Sequence, residues 1–568
     1  MATAEFKDEV SIVLAGEAGQ GIQSIESLLV NILKQDGYNV FATKEYMSRI
    51  RGGTNSTEIR VSSQKVCAYV ERIDILVALD KDSIPHLQDR ITKDTVILGE
   101  KDLIKDGRVI NIPFQKLASD LGNAIYSSTI ATGAICGFLQ VDRKTMEDYI
   151  SGYFQKKGKE ISDKNIEAAG TGYKIGKELT ENKIMKTSIN KNAGVKNEIL
   201  MSGSDAAALG AIAGGCDFTC AYPMTPSTGV FTAMASYSKE LDIVVEQVED
   251  EIGVINMALG AWYAGARALV TTSGGGFALM VEGLSLSGML ELPVVVYLAQ
   301  RPGPATGLPT RTEQGDLNFA LYSGHGEFPR IIYAPGNTEQ AFYITQKAFN
   351  AADKFQSPVI IMSDQYLADT YYNTPELKTD GLKIEKHVVE TGDDYKRYKL
   401  TENGISPRGI PGFGTGRVHA DSDEHTEDGY ITEDLDNVRI KMAEKRLKKL
   451  DEIKKDIIKP ELIGSSNYET LVIGWGSTYN IVKEAIEKGG DKKTAFLHFS
   501  QVYPLHESTA EYINKAKKTI IIENNATCQF GQLIRLSTGI EIKNRILKYN
   551  GMPFSVEEVV DQLSKILR

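Results

Sequence analysis

At 568 residues the chain is long enough for about three or four domains, so core size is no constraint. With 42% apolar and 24% charged residues its composition is that of an ordinary α/β protein. A formal net charge of −11 and a pI near 5.4 argue against nucleic acid as a main partner, because phosphate binding needs a basic face.

The chain begins without a signal-peptide pattern, and MATAEFKDEV leads straight into a strand predicted over Val10 to Ala15. A glycine turn follows, then an amphipathic helix with Ile25, Leu28, Leu29 and Ile32 on one face, which makes a βα unit of the doubly wound type. Gly16, Gly19 and Gly21 form GxxGxG. This departs from the dinucleotide fingerprint GxGxxG and lacks the Lys-Ser/Thr of a P-loop, so the turn reads as close packing of helix on sheet or as an anion site. Further on, EYMSRIRGGTNSTEIRVSS sets Arg49 and Arg51 beside Gly52 and Gly53 ahead of a strand. DILVALD and TVILGE, with the helix SIPHLQDRI between them, continue the α/β pattern to a domain end near Lys183. The polar, aperiodic stretch 184–198 reads as an interdomain linker.

A second domain is predicted over 199–377. SGSDAAALGAIAGG reads as a helix capped by Ser204 or Asp205 and stopped by a glycine pair. The strand FTCAYP then delivers Thr225 at its C-terminal end, where ligands collect in open α/β sheets, with Pro223 and Pro226 restricting the backbone around it. In EQVEDEIGVINMALGAWYAGARALVTTSGGG, Ile252, Ile255, Leu259 and Trp262 recur at helical spacing behind Glu251, and ALVTT runs as a strand into a turn at Ser273 to Gly276. An acid at a helix start is placed well as a cap, and Glu249 and Asp250 compete with Glu251 on spacing alone. The apolar strand VVVYLAQRP ends at Arg301, ahead of a loop unusually long and rich in Pro and Gly, the kind of loop that carries function. Arg301 offers a carboxylate two parallel hydrogen bonds, a geometry Lys lacks. Arg311 is a second cation for a distal carboxylate, or a salt-bridged loop residue.

An irregular connection and a charged helix are predicted over 378–460. His419, Asp421, Asp423, Glu424 and His425 invite a metal reading, but their spacing fits no closed site and a solvated acidic loop is the simpler expectation, so no metal ligand is assigned. In the helix VRIKMAEKRLKKLDEIKKDI, Met442, Leu447 and Leu450 form a narrow apolar stripe that would brace domains. The last domain, 461–568, opens on a strand, a GWGS turn and a helix, with His506 and Glu523 as candidate interface groups. The longest apolar runs are broken by Glu251, Arg267 and Glu282, so none reads as a membrane span. Five scattered cysteines read as reduced cytoplasmic thiols, and they are too few and too dispersed for an iron–sulfur cluster, which takes about four close thiolates.

YPMTPST, the Glu251-led helix ending in AGARALVTTSGGG, and QRPGPATGLPTRTEQGDL, in that order, resemble the aminopyrimidine-binding domain of the 2-oxoacid:ferredoxin oxidoreductases, which use thiamine diphosphate. The resemblance implies an α subunit with a γ-type α/β domain fused in front and a transketolase C-terminal-like domain behind. Its loop is most similar to the 2-oxoglutarate-using branch. It implies that Glu251 protonates the cofactor's pyrimidine ring, that Pro223 and Thr225 line the cofactor site, and that Arg301, Thr225 and Thr310 receive the 2-oxoacid carboxylate. For the γ-type domain it implies that Arg51, Gly52 and Gly53 contact a phosphate of coenzyme A. Decarboxylating a 2-oxoacid needs an electron sink that no side chain provides, and burial raises an acid's pKa so that it shares a proton with a ring nitrogen. No GDG motif for a diphosphate-bound magnesium ion occurs in the chain. The resemblance puts Mg2+ and a [4Fe-4S] cluster on a separate β subunit, in an (αβ)2 heterotetramer that reduces ferredoxin. The alternatives are a pyruvate-, indolepyruvate- or branched-chain-specific relative, and a non-catalytic nucleotide-binding or assembly subunit.

Overall fold

Buried apolar strands alternate with amphipathic helices along most of the chain, which sorts them into parallel-rich sheets faced by helices. The computed structural model describes residues 3–17, 22–48 and 53–568. Two compact units result: Met1–Met201 with Thr370–Leu377 and Ser555–Glu557 form one, and Ser202–Asp369, Lys378–Phe554 and Glu558–Arg568 form the other.

The first unit is built on an eight-stranded sheet in the order Ile110–Asn111, Val96–Gly99, Ile75–Ala78, Glu9–Glu17, Thr54–Ser62, Asn39–Glu45, Tyr371–Thr374, Ile199–Ser202. The helix Ile22–Asp36 buries Ile25, Leu28, Leu29 and Ile32, as their spacing predicts. Two sequence expectations are corrected here. The stretch 184–198 is not a free linker: Met185–Ser188 pairs in parallel with Ala4–Lys7, and Ala193–Asn197 forms a 3-10 turn. A four-residue strand of alternating burial is too short and too polar to show a period. Residues 370–377, assigned from sequence to the central domain, belong to this first unit, where Tyr371 and Tyr372 pair antiparallel with Ala42 and Phe41.

The second unit holds two sheets. Its seven-stranded sheet runs Val244–Gln247, Phe218–Ala221, Ala268–Thr272, Val294–Gln300, Pro358–Asp364, Ile331–Tyr333, Gln501–Tyr503, with only the last strand antiparallel. The five-stranded sheet runs Glu461–Ile463, Thr494–Phe499, Thr470–Trp475, Lys518–Glu523, Asn544–Leu547. In the larger sheet the chain leaves Phe218–Ala221 to one side and Ala268–Thr272 lies on the other. The crevice beyond the C-terminal ends of these two strands is a topological switch point, where open α/β sheets take ligands.

The helix Gly203–Ala213 is capped by Ser202, not by Ser204 or Asp205; Asp205 returns the bond to the Ser202 backbone as a capping box. The charged helix spans Ile440–Lys454, and its inward face is not the predicted apolar stripe. Met442 is buried, but with it go Lys445, Arg446, Lys449 and Ile453, while Leu447 is exposed. Glu291 meets both lysines, at 2.5 Å for Lys445, and Glu424 binds Arg446 and Arg439. Glu424 is therefore an anchor for this helix. His425 is fully buried with its ring 3.7 Å from that of Tyr398, so this part of the acidic loop is packed rather than solvated. Among the described residues no group of His, Cys, Asp and Glu is arranged to hold a metal ion, and no helix is long and apolar enough to cross a membrane.

Candidate active site

Four segments bring chemistry to the switch point. After Phe218–Ala221 the chain passes Tyr222 and Pro223, both exposed, to Thr225, half-buried and followed by a cis peptide bond to Pro226. After Val244–Gln247 come the three consecutive acids. Asp250 is the helix cap: its Oδ1 accepts the Gly253 N–H at 2.7 Å, and it is exposed, as is Glu249. Glu251, the first residue of the helix Glu251–Tyr263, is thereby released from capping and turns inward, 4% exposed. Burial separates the three candidates that spacing left equal. The expected lining of Ile252, Gly253, Val254 and Ile255 is only partly right, since Val254 and Ile255 are buried and Ile252 faces solvent.

The third segment is the glycine run after Ala268–Thr272. Expected as a turn, it opens a short helix, Gly274–Leu279, behind Ser273. Each of the three glycines leaves room for a different neighbour. A Cβ on Gly276 would stand 2.5 Å from Glu251 Oε1 and 2.3 Å from Thr272 Oγ1, and one on Gly274 would stand 2.5 Å from Asp316 Oδ2. Above Gly275 lies the Ala305 carbonyl, 3.7 Å from such a carbon. Glu251 Oε1, Ser273 Oγ and Asp316 Oδ2 are all enclosed without a hydrogen-bond partner, which is unusual for buried polar atoms and marks the place as one shaped for something other than its own stability.

The fourth segment is the loop from Arg301 to Asp316. Arg301 Nη1 donates to the Thr225 carbonyl at 2.7 Å, which ties the end of one strand to the end of another, and its Nε is enclosed without an acceptor. Burial holds the Arg301 guanidinium below its ordinary pKa, with Asp316 opposing. Thr310 is almost fully buried. The loop is pinned from its far end: the Gln314 backbone N–H donates to the Asn524 carbonyl, and its side chain donates to the Trp475 carbonyl at 2.9 Å and accepts from Asn524 N–H at 3.0 Å. Thr312 N–H bonds the Gly551 carbonyl, and Arg311 turns towards Met552, with its Nη1 3.8 Å from Sδ. Glu523, expected only as an interface group, is buried beneath this contact and caps the helix Gln529–Thr538 through the Phe530 and Gly531 N–H groups.

Sequence reasoning missed Asp316 and Gln314. Both sit in TEQGD, inside the loop it singled out; the Gln and Asp bracketing a glycine at the foot of a Pro/Gly loop were the available signal. Of the residues expected to meet coenzyme A, Arg51 and Gly52 lie outside the described residues, as do Arg49, Gly19 and Gly21. Gly53 has a positive φ of 88°, and a Cβ there would collide with Met47.

A family profile described as "Pyruvate flavodoxin/ferredoxin oxidoreductase, thiamine diP-bdg" matches residues 209–445, and one described as "Pyruvate ferredoxin/flavodoxin oxidoreductase" matches 11–175. A 2-oxoacid:ferredoxin oxidoreductase subunit alpha from a Sulfolobus species is 32% identical over 98% of this chain and 97% of its own. The chain belongs to the 2-oxoacid:ferredoxin oxidoreductase α-subunit family. Within that family, the 2-oxoglutarate synthase subunit KorA of Archaeoglobus fulgidus is 32% identical over 59% of this chain and 89% of its own. The 2-oxoglutarate:ferredoxin oxidoreductase from Magnetococcus marinus, solved with 2-oxoglutarate, coenzyme A and succinyl-CoA bound, superposes with a TM-score of 0.92 at 30% identity, over 99% of this chain and 100% of that one. The thiamine-binding profile runs past residue 377 to 445, so the irregular connection and the start of the charged helix belong with the pyrimidine-type domain by sequence as well as by packing.

The residues fit the aminopyrimidine half of thiamine diphosphate. A carboxyl group with one enclosed, unpartnered oxygen suits a ring nitrogen, and the glycine run beside it lets a flat ring approach the backbone.

Proposed function

We propose that this chain is the γα-fused subunit of a thiamine diphosphate-dependent enzyme that oxidatively decarboxylates 2-oxoglutarate to its acyl-CoA and carbon dioxide, passing electrons to ferredoxin. The observation that carries the reading is the enclosed, unpartnered Glu251 carboxyl oxygen at the switch point, on the same sheet edge as Arg301 and Thr225. Thiamine diphosphate, when bound, supplies the electron sink for decarboxylation. Glu251 holds a proton against the pyrimidine ring, and its enclosure by Gly276 and Thr272 fixes where that proton points. Pro223 and Thr225 line the cofactor side of the cleft. Arg301, held in place by its bond to the Thr225 carbonyl, receives the 2-oxoacid carboxylate together with the Thr225 and Thr310 hydroxyls. Arg311 serves a distal carboxylate, which gives the preference for a dicarboxylic substrate. Arg51, Gly52 and Gly53 meet a phosphate of coenzyme A, the co-substrate.

The diphosphate, its Mg2+ and a [4Fe-4S] cluster belong to a β subunit, in an (αβ)2 assembly working in the cytoplasm. Support for the substrate comes from the KorA relatives and from the Magnetococcus marinus enzyme, whose bound ligands include 2-oxoglutarate. The assembled complex carrying Glu251→Gln is expected to lose turnover by about 100-fold or more while still assembling. Wild-type turnover in that variant rejects the assignment. Comparing 2-oxoglutarate with pyruvate and 2-oxoisovalerate tests the substrate, and a preference for either monocarboxylate overturns it.

A further inference from the structure

The glycine run accommodates two carboxyl groups, and only one of them is used above. Asp316 ends the loop that carries Arg301 and Thr310, and its backbone N–H donates to Gln300 Oε1 at 3.0 Å. Its Oδ2 lies against the Gly274 Cα, enclosed and unpartnered, while the rest of the residue is half-buried at the cleft. No ion pair within 4.0 Å joins Asp316 to Arg301 among the described residues, yet the two charges act on one another, and Arg301 Nε is likewise enclosed without an acceptor. A carboxylate and a guanidinium therefore lie close together, one beside Gly274 and Gln300 and the other following Gln300, each with a buried polar atom that has no hydrogen-bond partner.

We propose that Asp316 is a substrate-binding residue that trades its charge for that of the substrate: ionised in the free site beside Arg301, it takes up one proton when a 2-oxoacid carboxylate binds there. This rests on Arg301 being the carboxylate-binding residue. Two carboxylates cannot share one guanidinium in an enclosed site without a like-charge cost, and protonating Asp316 removes that cost and turns its oxygen into a donor to the incoming carboxylate. Once the substrate's carboxylate has left as carbon dioxide, the negative charge beside Arg301 is gone and the proton returns to solvent.

The electrostatics around Asp316 suit the exchange. Burial pushes its carboxyl up to about 6, with Arg301 opposing. Glu313, on the same loop, is itself pushed up by burial and by Asp316, and so adds a second carboxylate to the neighbourhood. Glu251 stands at the other end of the same glycine run, and the run itself contributes the uncharged Ser273 and Gly274. A modest further push from a bound carboxylate keeps Asp316 protonated at neutral pH.

The test is the pH dependence of KM for the 2-oxoacid in the assembled complex, between about pH 5 and pH 8, for wild type, Asp316→Asn and Arg301→Gln. Between the pKa of Asp316 in the free site and its higher pKa in the loaded site, wild-type KM is expected to rise with pH, by up to about tenfold per unit, because binding there takes up a proton, and to level off above. Asp316→Asn has a permanent donor of nearly the same shape. It is expected to flatten the rise and to bind the 2-oxoacid more tightly than wild type at the alkaline end, a gain that a merely structural role does not produce. A rise in Asp316→Asn parallel to that of wild type overturns the inference. If Arg301→Gln leaves KM unchanged, the carboxylate assignment of Arg301 fails instead; a crippled Arg301→Gln beside a wild-type-like Asp316→Asn overturns the Asp316 inference alone. Should Asp316→Asn fail to assemble, proton uptake by the wild-type complex decides. About one proton per site is expected on mixing with an acylphosphonate analogue, which cannot decarboxylate, and no uptake overturns the proposal.

Discussion

A carboxyl oxygen enclosed by protein and given no donor costs about 1–3 kcal/mol, so the Glu251 and Asp316 oxygens must be held where they are by neighbours that cannot yield. Gly276 is one such neighbour. Replacing it with alanine sets a methyl group 2.5 Å from Glu251 Oε1 and 2.3 Å from Thr272 Oγ1, and one of the two side chains has to move. Displacement of a reacting group by about 1 Å costs on the order of 100-fold in rate. The Gly276→Ala complex is thus expected to fall about 100-fold in kcat with a near-normal melting temperature, and kcat within a few-fold of wild type would show that the Glu251 position is not critical. At this scale the sequence was informative where a residue's role is local. Glu251 heads a helix and Arg301 ends a strand, both of which periodicity reveals. It could not separate Glu251 from Asp250, because the difference lies in which side chain caps the helix and which turns inward. Asp316 escaped notice because its partner, Gly274, is distant in sequence.

The charged helix Ile440–Lys454 shows the same limit for an element. Its existence and its start to within two residues were readable, but it ends at Lys454, short of the predicted stretch, and the face it buries was not readable. A rule that apolar residues point inward selects Met442, Leu447 and Leu450, whereas the fold buries Lys445 and Lys449 on Glu291, a residue 154 positions away from Lys445 that no local pattern connects to them. Burial draws the Lys449 ammonium down to about 8 in spite of Glu291, and the two lysines with Arg397 hold the Glu291 carboxyl well below the usual carboxylate range. Removing one member of such a group leaves buried charge uncompensated, at a cost of about 3–5 kcal/mol. Glu291→Gln is expected to lower stability by that amount in denaturant unfolding, and a loss below about 1 kcal/mol would mean that water reaches the lysines. The sign of the pH effect follows from the depressed carboxyl. Its contribution is fully present above the usual 4.5 and is lost as the pH falls below it. Wild type is therefore expected to lose stability more steeply than Glu291→Gln on acidification below about pH 4.

For the whole molecule, the multidomain α/β architecture was largely legible, because strand and helix periods repeat many times, whereas the fused γ-type first domain was implied by the family resemblance and the strand order within each sheet was not readable. The proposed site offers Glu251 to a pyrimidine ring and Arg301 to a carboxylate, and the sequence carries no GDG motif and no close set of four cysteines. The elements around the Glu251 cleft carry large apolar side chains in solvent. Tyr222 follows one strand, Ile252 (51% exposed) and Met257 lie on the Glu251 helix, and Leu279 (50% exposed) ends the short glycine-led helix. Exposed apolar side chains on neighbouring elements beside the proposed site fit a face that another subunit covers. Burying each of these side chains is worth about 1.5–3 kcal/mol, and a buried unpaired carboxylate costs several kcal/mol more. Ile252→Asp combined with Leu279→Asp is accordingly expected to leave the melting temperature of the isolated chain within a few degrees of wild type. The same pair should weaken association with the β subunit by about 100-fold or more, as measured by sedimentation of the mixed subunits. The two readouts together are decisive: unchanged folding with lost assembly assigns this face to the partner, and unchanged assembly sends the search for the second half of the active site to another surface of the chain.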